Sequence, residues 1–464
     1  MIKWPSMLGE ILDDLLISAS TGPCITATRH FPARPPIWAS FPATLDPRLI
    51  DTLRARGIES LYSHQAAAWE RIAKGEHVVV VTPTASGKTL CYNLPVLQAL
   101  VHQPDARALY LFPTKALAQD QLAELEALAK QLPEMRMFTY DGDTPQDARR
   151  AVRARANLVL SNPDMLHSGI LPHHTKWATL FQNLRYVVID ELHAYRGVFG
   201  SHLANVLRRL KRVCAHYGST PQFIMASATI ANPGELASRV SGEAVEEITE
   251  SGAPTGDKTF VCYNPPVVNK ELGIRAPYLG EAAKIAIRLL RARVATIVFA
   301  QSRLATEVLL GAIKQGVADK TGDSSIVRGY RGGYLPNRRR QVERELRQGE
   351  ALGVVSTNAL ELGVDIGHLD AAVLAGYPGA IASLWQQAGR AGRRSGASAA
   401  ILVASSAPLD QFMVTHPDYL FGTPPEHARI NPDNPFILVN HLKCAAFELP
   451  IAEPERFEIG RAHV

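Results

Sequence analysis

The sequence has 464 residues, which corresponds to about three domains at roughly 150 residues per domain. Hydrophobic residues make up 46% of the chain and charged residues 20%, values that are typical of folded globular proteins and exclude wholesale disorder. The formal net charge of +5 is a mild basic excess that fits nucleic-acid binding but also fits many ordinary enzymes.

Cysteine usage and the first residues of the chain bear on its compartment. The five cysteines lie far apart and form no CxxC pair, which argues against a zinc or disulfide framework and is typical of a reducing environment. The opening stretch MIKWPSMLGEILDDLL has one lysine and interspersed acidic residues, unlike a secretory signal peptide. No stretch approaches the ~18 consecutive apolar residues that a membrane span requires. We therefore expect a cytoplasmic protein without a membrane partner.

A recurring pattern organises the chain: a short apolar run, then small and polar residues, then a stretch with helical spacing. In the first half, the runs with their polar endings are 77–84, 108–114, 157–163, 185–191 and 223–229. The second half repeats the pattern at 296–302, 325–333, 353–358, 371–378 and 398–406. This rhythm predicts an α/β fold with two parallel-sheet lobes in tandem. Because ligands bind outside the carboxyl ends of parallel strands, the polar endings should converge, and the cleft between the lobes is the expected place for chemistry.

The stretches between and around these runs set the expected domain limits. The first 55 residues are rich in proline and indicate an extended lead-in. A Gly- and Pro-containing stretch with one short strand-like run separates the two lobes, as expected of a strand leaving the first lobe and a linker entering the second. The predicted domains are an N-terminal extension at 1–55, a first lobe at 56–250, a linker at 251–279, a second lobe at 280–408 and a partial accessory region at 409–464.

The segment TPTASGKT, which begins at Thr82, lies between an apolar run and a stretch with helical spacing, the context of a phosphate-binding loop. Gly87 lets the backbone approach the phosphates, Lys88 offers a positive charge to the β- and γ-phosphates, and Thr89 can place its hydroxyl on Mg²⁺. The segment departs from GxxxxGK[ST] at its first position, where Thr82 replaces glycine. With Ser86, these residues predict a site for ATP and Mg²⁺.

The segment VVIDELH supplies the second half of an ATPase site. Asp190 follows a predicted strand, where it can hold Mg²⁺, and the adjacent Glu191 can orient and activate the attacking water. The alternative is a solvated acidic turn after a buried strand, and the phosphate-binding loop in the same chain weighs against it. His193 is either a structural histidine or a residue that couples ATP hydrolysis to movement.

The segment QQAGRAGRR places Arg390 and Arg393 three residues apart, so that on a helix they would be neighbours on one face. From there the two guanidinium groups could reach the γ-phosphate across the cleft as arginine fingers. The alternative is a basic, solvated helix face that binds nothing in particular.

These motifs, in this order, resemble those of superfamily 2 helicases of the DEAD/DEAH-box type, which are built on two RecA-like lobes. GIESLYSHQ resembles the Q motif, TPTASGKT motif I, DELH motif II, SAT motif III, STNALELGVDIG motif V and QQAGRAGR motif VI. The match runs through nearly the whole of 57–394. The resemblance implies that ATP closes the nucleotide cleft between the lobes and that hydrolysis reopens it, which moves the protein along a nucleic-acid strand.

The resemblance also assigns roles to further residues. Gln65 is expected to read the adenine and Asp365 to contact the nucleotide. Ser227, Thr229 and Gln386 are expected to couple hydrolysis to movement. Contacts to the strand backbone carry no sequence information. The expected strand contacts, each of which is otherwise an ordinary strand-end or helix cap, are Thr114, Lys115, Ser161, Asn162, Gln301, Arg303 and Thr357.

Within the superfamily, the stretches 191–202, 330–336 and 422–450 resemble the bacterial mitomycin repair factor helicases and the related RecQ-like fungal helicase. This resemblance implies 3′ to 5′ movement along DNA, a role in DNA repair and protein partners in repair. Residues 409–450 resemble the start of the family's winged-helix domain, the alternative being a plain extension packed on the second lobe. Those relatives continue into a zinc-binding domain, so we expect a C-terminally truncated member whose residues 458–464 read like a translated sequencing adapter.

Three functions remain open at this point. The first is an ATP-driven motor on single-stranded DNA. The second is the same motor on RNA, although Gln386, Gln387 and Ala388 replace the His and Arg that DEAD-box RNA helicases usually carry in motif VI, which favours DNA. The third is a nucleotide-gated clamp or scaffold, whose signature would be a degraded motif II or motif VI; both motifs are intact.

Overall fold

The computed structural model describes residues 7–18, 21–321, 323–361, 363–364, 366–392, 396–452 and 457. The predicted site residues Asp365 and Arg393 and the segment 458–464 lie outside these residues. The chain folds into two compact units, each built from two stretches of sequence. The P-loop unit comprises 37–253 and 427–464, and the motif VI unit comprises 1–36 and 254–426.

The secondary structure alternates between strands and helices, as the sequence predicts. The strands are β1 (Ile25–Phe31), β2 (Trp38–Ala39), β3 (Leu61–Tyr62), β4 (His77–Val81), β5 (Arg107–Leu111), β6 (Met137–Thr139), β7 (Leu158–Ser161), β8 (Leu184–Ile189), β9 (Gln222–Ser227), β10 (Val245–Ile248), β11 (Lys258–Tyr263), β12 (Val267–Asn269), β13 (Ile274–Arg275), β14 (Thr296–Ala300), β15 (Val327–Tyr330), β16 (Gly353–Ser356), β17 (Ala371–Ala375) and β18 (Ser398–Val403). The helices are α1 (Met7–Ile17), α2 (Pro47–Ala55), α3 (Ser63–Ala73), α4 (Lys88–His102), α5 (Lys115–Leu128), α6 (Gln146–Arg155), α7 (Pro163–Met165), α8 (Ala178–Gln182), α9 (Gly197–Tyr217), α10 (Pro233–Ser241), α11 (Tyr278–Arg291), α12 (Arg303–Thr321), α13 (Pro336–Arg347), α14 (Ile381–Ala388), α15 (Pro408–Thr415), α16 (Pro417–Gly422) and α17 (Pro435–Glu448).

The P-loop unit is organised around a seven-stranded parallel sheet in the order β10-β4-β9-β8-β5-β7-β6. Its inner strands are apolar along nearly their whole length, as expected for strands covered on both faces. Val81 at the end of β4 pairs with Ser227 at the end of β9, and Ile189 of β8 pairs with Met225 of β9. The residues that follow β4, β9 and β8 therefore meet at one carboxyl edge of the sheet.

The motif VI unit has a second seven-stranded sheet in the order β1-β11-β18-β17-β14-β16-β15. All neighbouring strands are parallel except β1, which runs antiparallel to β11. The carboxyl ends of β11, β18, β17, β14, β16 and β15 therefore lie at the same edge. Both sheets confirm the predicted α/β fold with two RecA-like lobes.

Two stretches outside the predicted lobes belong to the sheets and cores. Leu8 and Leu12 of α1 join the core that α11 covers, and β1 closes one edge of the motif VI sheet. The strand β11, from the stretch interpreted as a linker, lies inside the same sheet. The N-terminal segment thus supplies a helix and a strand rather than an extended lead-in, because its apolar residues recur at helical spacing in 8–15.

The segment 427–449 packs on the P-loop unit. Ala428 and Ile430 are part of its hydrophobic core. The amide of Gly197 donates to the carbonyl of Arg429 (2.7 Å), and Asn205 Nδ2 donates to the carbonyl of Pro432 (2.8 Å). The described part of 409–464 contains helices α15, α16 and α17 and no named strand, so the winged-helix resemblance stays a prediction.

A buried ion pair fixes α17 to α9. Arg209 of α9 is fully buried, and its Nε donates to Glu448 Oε2 of α17 (3.0 Å), while a second bond joins Nη2 to Glu448 Oε1. Arg209 Nη1 also lies 2.6 Å from His167 Nδ1, and Glu448 is itself buried. A buried charge that loses its partner is strongly destabilising.

We therefore expect Glu448→Gln to lower the free energy of unfolding of the P-loop unit by about 3 to 5 kcal/mol, because it leaves the Arg209 guanidinium buried without its anion. Chemical denaturation followed by circular dichroism measures this loss. The control is Asp433→Asn, which removes the same charge from the more exposed Arg208–Asp433 pair (2.9 Å) and should change the free energy by less than about 1 kcal/mol. Equal losses in the two variants would contradict a structural role for the α17 ion pair.

Among the described residues, no helix has both the length and the apolar character needed to cross a bilayer.

Candidate ATP and nucleic-acid sites

The phosphate-binding loop follows β4 and leads into α4. Ala85 and Gly87 both have left-handed backbone conformations, with φ of 64° and 79°, which turns successive backbone N–H groups towards one side. A Cβ atom on Gly87 would lie 2.8 Å from Gln65 Nε2, so glycine is required there by both its φ and its neighbour. Thr89, in the first turn of α4, is half-buried.

Lys88 and Thr82 close this loop on itself. Lys88 Nζ donates to the carbonyl oxygens of Thr82 (2.7 Å) and Pro83 (2.8 Å), so the ammonium lies against the loop's own backbone. The hydroxyls of Thr82 and Ser86, both buried, lie 2.6 Å apart and share a hydrogen bond across the loop. Threonine in place of the first glycine of the motif therefore contributes a side-chain bond that glycine cannot make.

Gln65 of α3 connects the Q motif to the same loop. Its Oε1 accepts from the amide of Tyr62 (2.9 Å), and its Nε2 donates to the carbonyl of Gly87 (2.9 Å). Both ends of the amide are therefore held, which fixes the orientation of a buried side chain beside the phosphate-binding loop.

Asp190 and Glu191 lie at the carboxyl end of β8, beside β9. Asp190 Oδ1 accepts from the amide of Glu191 (2.8 Å), and Asp190 Oδ2 accepts from the hydroxyl of Tyr92 on α4 (3.0 Å). Glu191 has φ of 51°, a left-handed conformation that is strained for a residue with a Cβ atom. Burial, together with the negative charge of Glu191, raises the pKa of Asp190 to about 7. A divalent cation would stabilise the ionised form that burial disfavours.

His193 connects motif II to motif III. Its Nδ1 accepts from the amide of Ala228 (3.1 Å), so in this tautomer Nδ1 carries no proton and its 3.5 Å approach to Glu191 Oε2 is not an ion pair. Ser227 Oγ donates to the carbonyl of Ala228 (2.7 Å), and Thr229 is exposed. The structure therefore brings His193 and Ser227 to one backbone turn between β9 and α10.

Four predicted strand contacts lie at the end of β7 or just after β5 and β7 in the P-loop unit. Thr114 Oγ1 accepts from the amide of Leu117 (3.3 Å), and Asn162 Oδ1 accepts from that of Met165 (2.9 Å), so both cap helices. Ser161 is buried and donates to the carbonyl of Tyr140 (2.6 Å), and Lys115 forms an exposed ion pair with Asp143 (2.9 Å). These positions share one carboxyl edge, and their role in binding a strand stays a prediction.

Three further strand contacts are predicted in the motif VI unit. Gln301, after β14, donates from Nε2 to the carbonyl of Tyr377 (2.6 Å). Thr357, after β16, accepts at Oγ1 from the amide of Ala359 (3.4 Å), and Arg303 begins α12 with an exposed side chain. All three lie at the carboxyl edge of this sheet.

The structure corrects the placement of Arg390. The helix α14 ends at Ala388, and Gly392 has φ of 81°, so Arg390 lies in a turn after the helix and not on a helical face. Its guanidinium is fully buried and donates to the carbonyls of Val364 (3.1 Å) and Glu361 (2.6 Å). Gln386 is also buried. Gly389, directly before Arg390, and Gly392, two residues after it, explain why the helical spacing does not continue.

The sequence analysis did not identify Lys258, whose side chain hydrogen-bonds to the backbone of motif VI. Lys258 Nζ donates to the carbonyl of Ala388, the last residue of α14 (2.9 Å), and burial lowers the pKa of Lys258 to about 8. The residue also lies beside Gly392, whose added Cβ would approach the Lys258 side chain to 3.6 Å. A cation at a helix C-terminus is favourable, but a lysine at the start of a strand carries no sequence signal for this role.

We expect Lys258→Met to lower ATP turnover about tenfold with little effect on the Michaelis constant for ATP, because it frees the turn that carries Arg390. Steady-state ATPase assays and a thermal melt separate this positioning role from a folding defect. Lys284→Met, which removes an exposed lysine of the same unit, should leave both unchanged. A fall in melting temperature that accounts for the lost turnover would refute the positioning role.

Comparison with known proteins gives the class of the chain. Residues 62–236 match the DEAD/DEAH box helicase family, and residues 281–395 match the helicase conserved C-terminal domain. The two matches together span more than half of the chain, which belongs to the superfamily 2 helicases with a DEAD/DEAH box.

Several individual helicases are similar to this chain over most of its length. The ATP-dependent helicase YprA of Bacillus subtilis (strain 168) is 58% identical over 417 residues, 90% of this chain and 56% of YprA. The ATP-dependent helicase hrq1 of Schizosaccharomyces pombe is 38% identical over 95% of this chain and 43% of that protein. The crystal structure of the DUF1998 helicase MrfA bound to DNA and AMPPNP matches with a TM-score of 0.93 at 54% identity, covering 97% of this chain and 62% of that one. The chain thus spans less than two thirds of these relatives.

Proposed function

We propose that this chain is the motor part of an ATP-dependent DNA helicase that moves 3′ to 5′ along single-stranded DNA in DNA repair. The observation that carries the proposal is the meeting of Lys88, Asp190 and Glu191 after β4 and β8, at one edge of the P-loop sheet. A protein that only bound nucleic acid would have no need of a second carboxylate beside the Mg²⁺ ligand. The similarity to MrfA, which was solved bound to DNA, supports DNA as the track.

The residues of the P-loop unit divide the work of hydrolysis. Backbone N–H groups around Gly87 and the ammonium of Lys88 bind the phosphates, and Lys88 must leave the carbonyls of Thr82 and Pro83 to do so. Thr89 and Asp190 would hold Mg²⁺, which neutralises negative charge on the phosphates when bound. Glu191 accepts the proton of the attacking water.

The coupling proposal rests on the turn after β9, which contacts His193. Loss of the γ-phosphate changes what Glu191 contacts, and Glu191 Oε2 lies 3.5 Å from His193 Nδ1. His193 Nδ1 in turn accepts a hydrogen bond directly from the amide of Ala228 in motif III. A shift of His193 therefore moves the turn after β9, where Ser227 and Thr229 lie. Three further sets of contacts are proposed from the family resemblance. They are the contacts of Arg390 and Arg393 with the γ-phosphate, those of Gln65 and Asp365 with the nucleotide, and the strand contacts.

The rate of ATP hydrolysis by the purified chain tests the proposal. It is measured without nucleic acid, with single-stranded DNA and with single-stranded RNA of equal length, all at one fixed low salt concentration. We expect DNA to stimulate hydrolysis well above RNA. Stimulation by RNA alone would identify an RNA motor, and hydrolysis in no condition would leave a clamp or scaffold. A cytoplasmic location, repair-protein partners and the domain limits stay predictions.

A further inference from the structure

Tyr92 lies on α4, the helix that follows the phosphate-binding loop, on the same helical face as Lys88 and Thr89. Its side chain is fully buried. The ring packs edge-on against that of Tyr110 on β5, with 5.5 Å between the ring centroids and an angle of 84° between the ring planes. Because packing fixes the ring, the hydroxyl proton is the part of Tyr92 that can still change direction.

The Tyr92 hydroxyl lies within hydrogen-bonding distance of two acceptors on different elements. These acceptors are Asp190 Oδ2, at 3.0 Å, and Gln121 Oε1, at 3.3 Å. Burial raises the pKa of Tyr92 well above its ordinary value, and a side-chain hydrogen bond with Thr89 opposes this rise only in part, so the hydroxyl keeps its proton at neutral pH. A single proton makes one well-aligned hydrogen bond at a time, so the two acceptors compete for it.

The two acceptors belong to different parts of the proposed motor. Asp190 is a proposed Mg²⁺ ligand of the ATP site, whereas Gln121 belongs to α5. The proposed strand contacts Thr114, the N-cap of α5, and Lys115, its first residue, lie at the start of that helix. Gln121 is six residues beyond Lys115, or about 9 Å along the helix axis. Because a hydrogen-bonded helix is stiff over this length, a change at Gln121 alters the position of the strand contacts.

The state of Asp190 decides which acceptor Tyr92 prefers. In the ligand-free chain, the bond to Asp190 is the shorter of the two. Asp190 Oδ1 already accepts from the amide of Glu191 (2.8 Å), so Tyr92 has to compete with a cation held by Asp190 for the remaining lone pairs. A cation also neutralises the carboxylate charge that strengthens such a bond. The amide oxygen of Gln121 then becomes the better acceptor.

We propose that Tyr92 is a positioning residue that couples the ATP site to α5, because its hydroxyl donates to Asp190 in the ligand-free chain and to Gln121 when Asp190 holds Mg²⁺. The inference rests on the proposed function, which supplies the Mg²⁺ site and the strand contacts. Coupling of this kind is reciprocal, so DNA bound at the start of α5 changes the affinity for the nucleotide by the same factor.

The test measures the affinity for fluorescein-labelled single-stranded DNA by fluorescence anisotropy at one fixed salt concentration. The affinity with Mg²⁺ and a non-hydrolysable ATP analogue, divided by the affinity with Mg²⁺ alone, is the coupling ratio. We expect the wild-type ratio to differ from one by about tenfold, and Gln121→Leu and Tyr92→Phe each to bring it about fivefold closer to one. The double variant should match the single variants, because each substitution removes the same hydrogen bond.

The matched control is Gln119→Leu on the same helix, whose amide donates instead to Thr139 Oγ1 (2.9 Å) and which should keep the wild-type ratio. A second control is the affinity of Gln121→Leu for the nucleotide without DNA, which should stay within about twofold of the wild type. Thermal melts show that each variant is folded. A wild-type ratio near one, or the full ratio in Gln121→Leu, would overturn the coupling.

A loss of the ratio in Tyr92→Phe but not in Gln121→Leu would confine Tyr92 to the Mg²⁺ ligands and would also overturn the link to α5. Failure of the proposed function has a different signature, since DNA would then not stimulate ATP hydrolysis by the wild-type chain. If DNA stimulates hydrolysis and neither variant changes the ratio, the motor stands and the role of Tyr92 in coupling is refuted.

Discussion

Replacing Glu191 with glutamine is expected to lower ATP turnover by about a hundredfold or more while ATP affinity changes by no more than about twofold. Glutamine has nearly the same shape but cannot accept a proton from the attacking water. The bonds that fix this position are made by the backbone, since the amide of residue 191 donates to Asp190 Oδ1. Single-turnover hydrolysis and binding of a fluorescent ATP analogue measure the two quantities separately.

The control for this experiment is Glu235→Gln, a change of the same chemistry on α10 of the same unit, where the carboxylate is exposed and lies near Arg239. It should leave turnover and binding unchanged. Normal hydrolysis by Glu191→Gln would remove this residue as the general base. Parallel losses of binding and turnover would indicate that the variant disturbs the left-handed backbone at 191 instead.

The strands and their polar endings could be predicted from the sequence because both signals are local. A parallel strand buried on both faces is a continuous apolar run such as HVVVV, and the ligand-binding residues follow its carboxyl end by chain order alone. For this reason Lys88, Asp190 and Ser227 are found at one edge, as expected. The turn after α14 was wrongly interpreted as helical because spacing alone does not show where a helix ends.

The residues that escaped prediction act over long distances in the sequence. Tyr92 donates to Asp190 from 98 residues away, and Lys258 reaches Ala388 from 130 residues away. Arg209 and Glu448 are 239 residues apart, in stretches that the sequence assigned to different domains. Tyr92, Lys258, Arg209 and Glu448 belong to no recognisable motif. Each of these positions requires only a hydrogen-bond donor or a charge on a side chain long enough to reach its partner once the fold has formed. Their contribution is visible only in three dimensions.

The ionised carboxylate of Asp190 is required for the proposed chemistry but destabilises the ligand-free fold. Asp190→Asn is therefore expected to abolish ATP turnover while making the ligand-free chain more stable above about pH 7. Burial and the neighbouring Glu191 raise the pKa of Asp190 from 3.8 to about 7 in the folded protein. The folded state therefore holds this proton more tightly than the unfolded state. The stability that the neutral carboxyl provides is lost as the pH rises from about 4 to about 7. An asparagine has no such dependence.

The gain in unfolding free energy should be roughly 1 to 3 kcal/mol at about pH 8 and should shrink as the pH falls towards about 4. Asparagine preserves the local bonds, because its Oδ1 still accepts from the amide of Glu191, and Tyr92 can turn its proton to Gln121 Oε1, which is 3.3 Å away. Thermal melts of the variant and the wild type at several pH values measure the difference, with Asp143→Asn as the exposed control. A constant difference across this pH range would show that the Asp190 carboxyl titrates alike in the folded and unfolded chain. Asp190 is costly to ionise in the ligand-free chain, and the proposed function requires its ionised form to hold Mg²⁺, so we expect nucleotide with Mg²⁺ to stabilise the P-loop unit most in the pH range where the ligand-free carboxyl is destabilising.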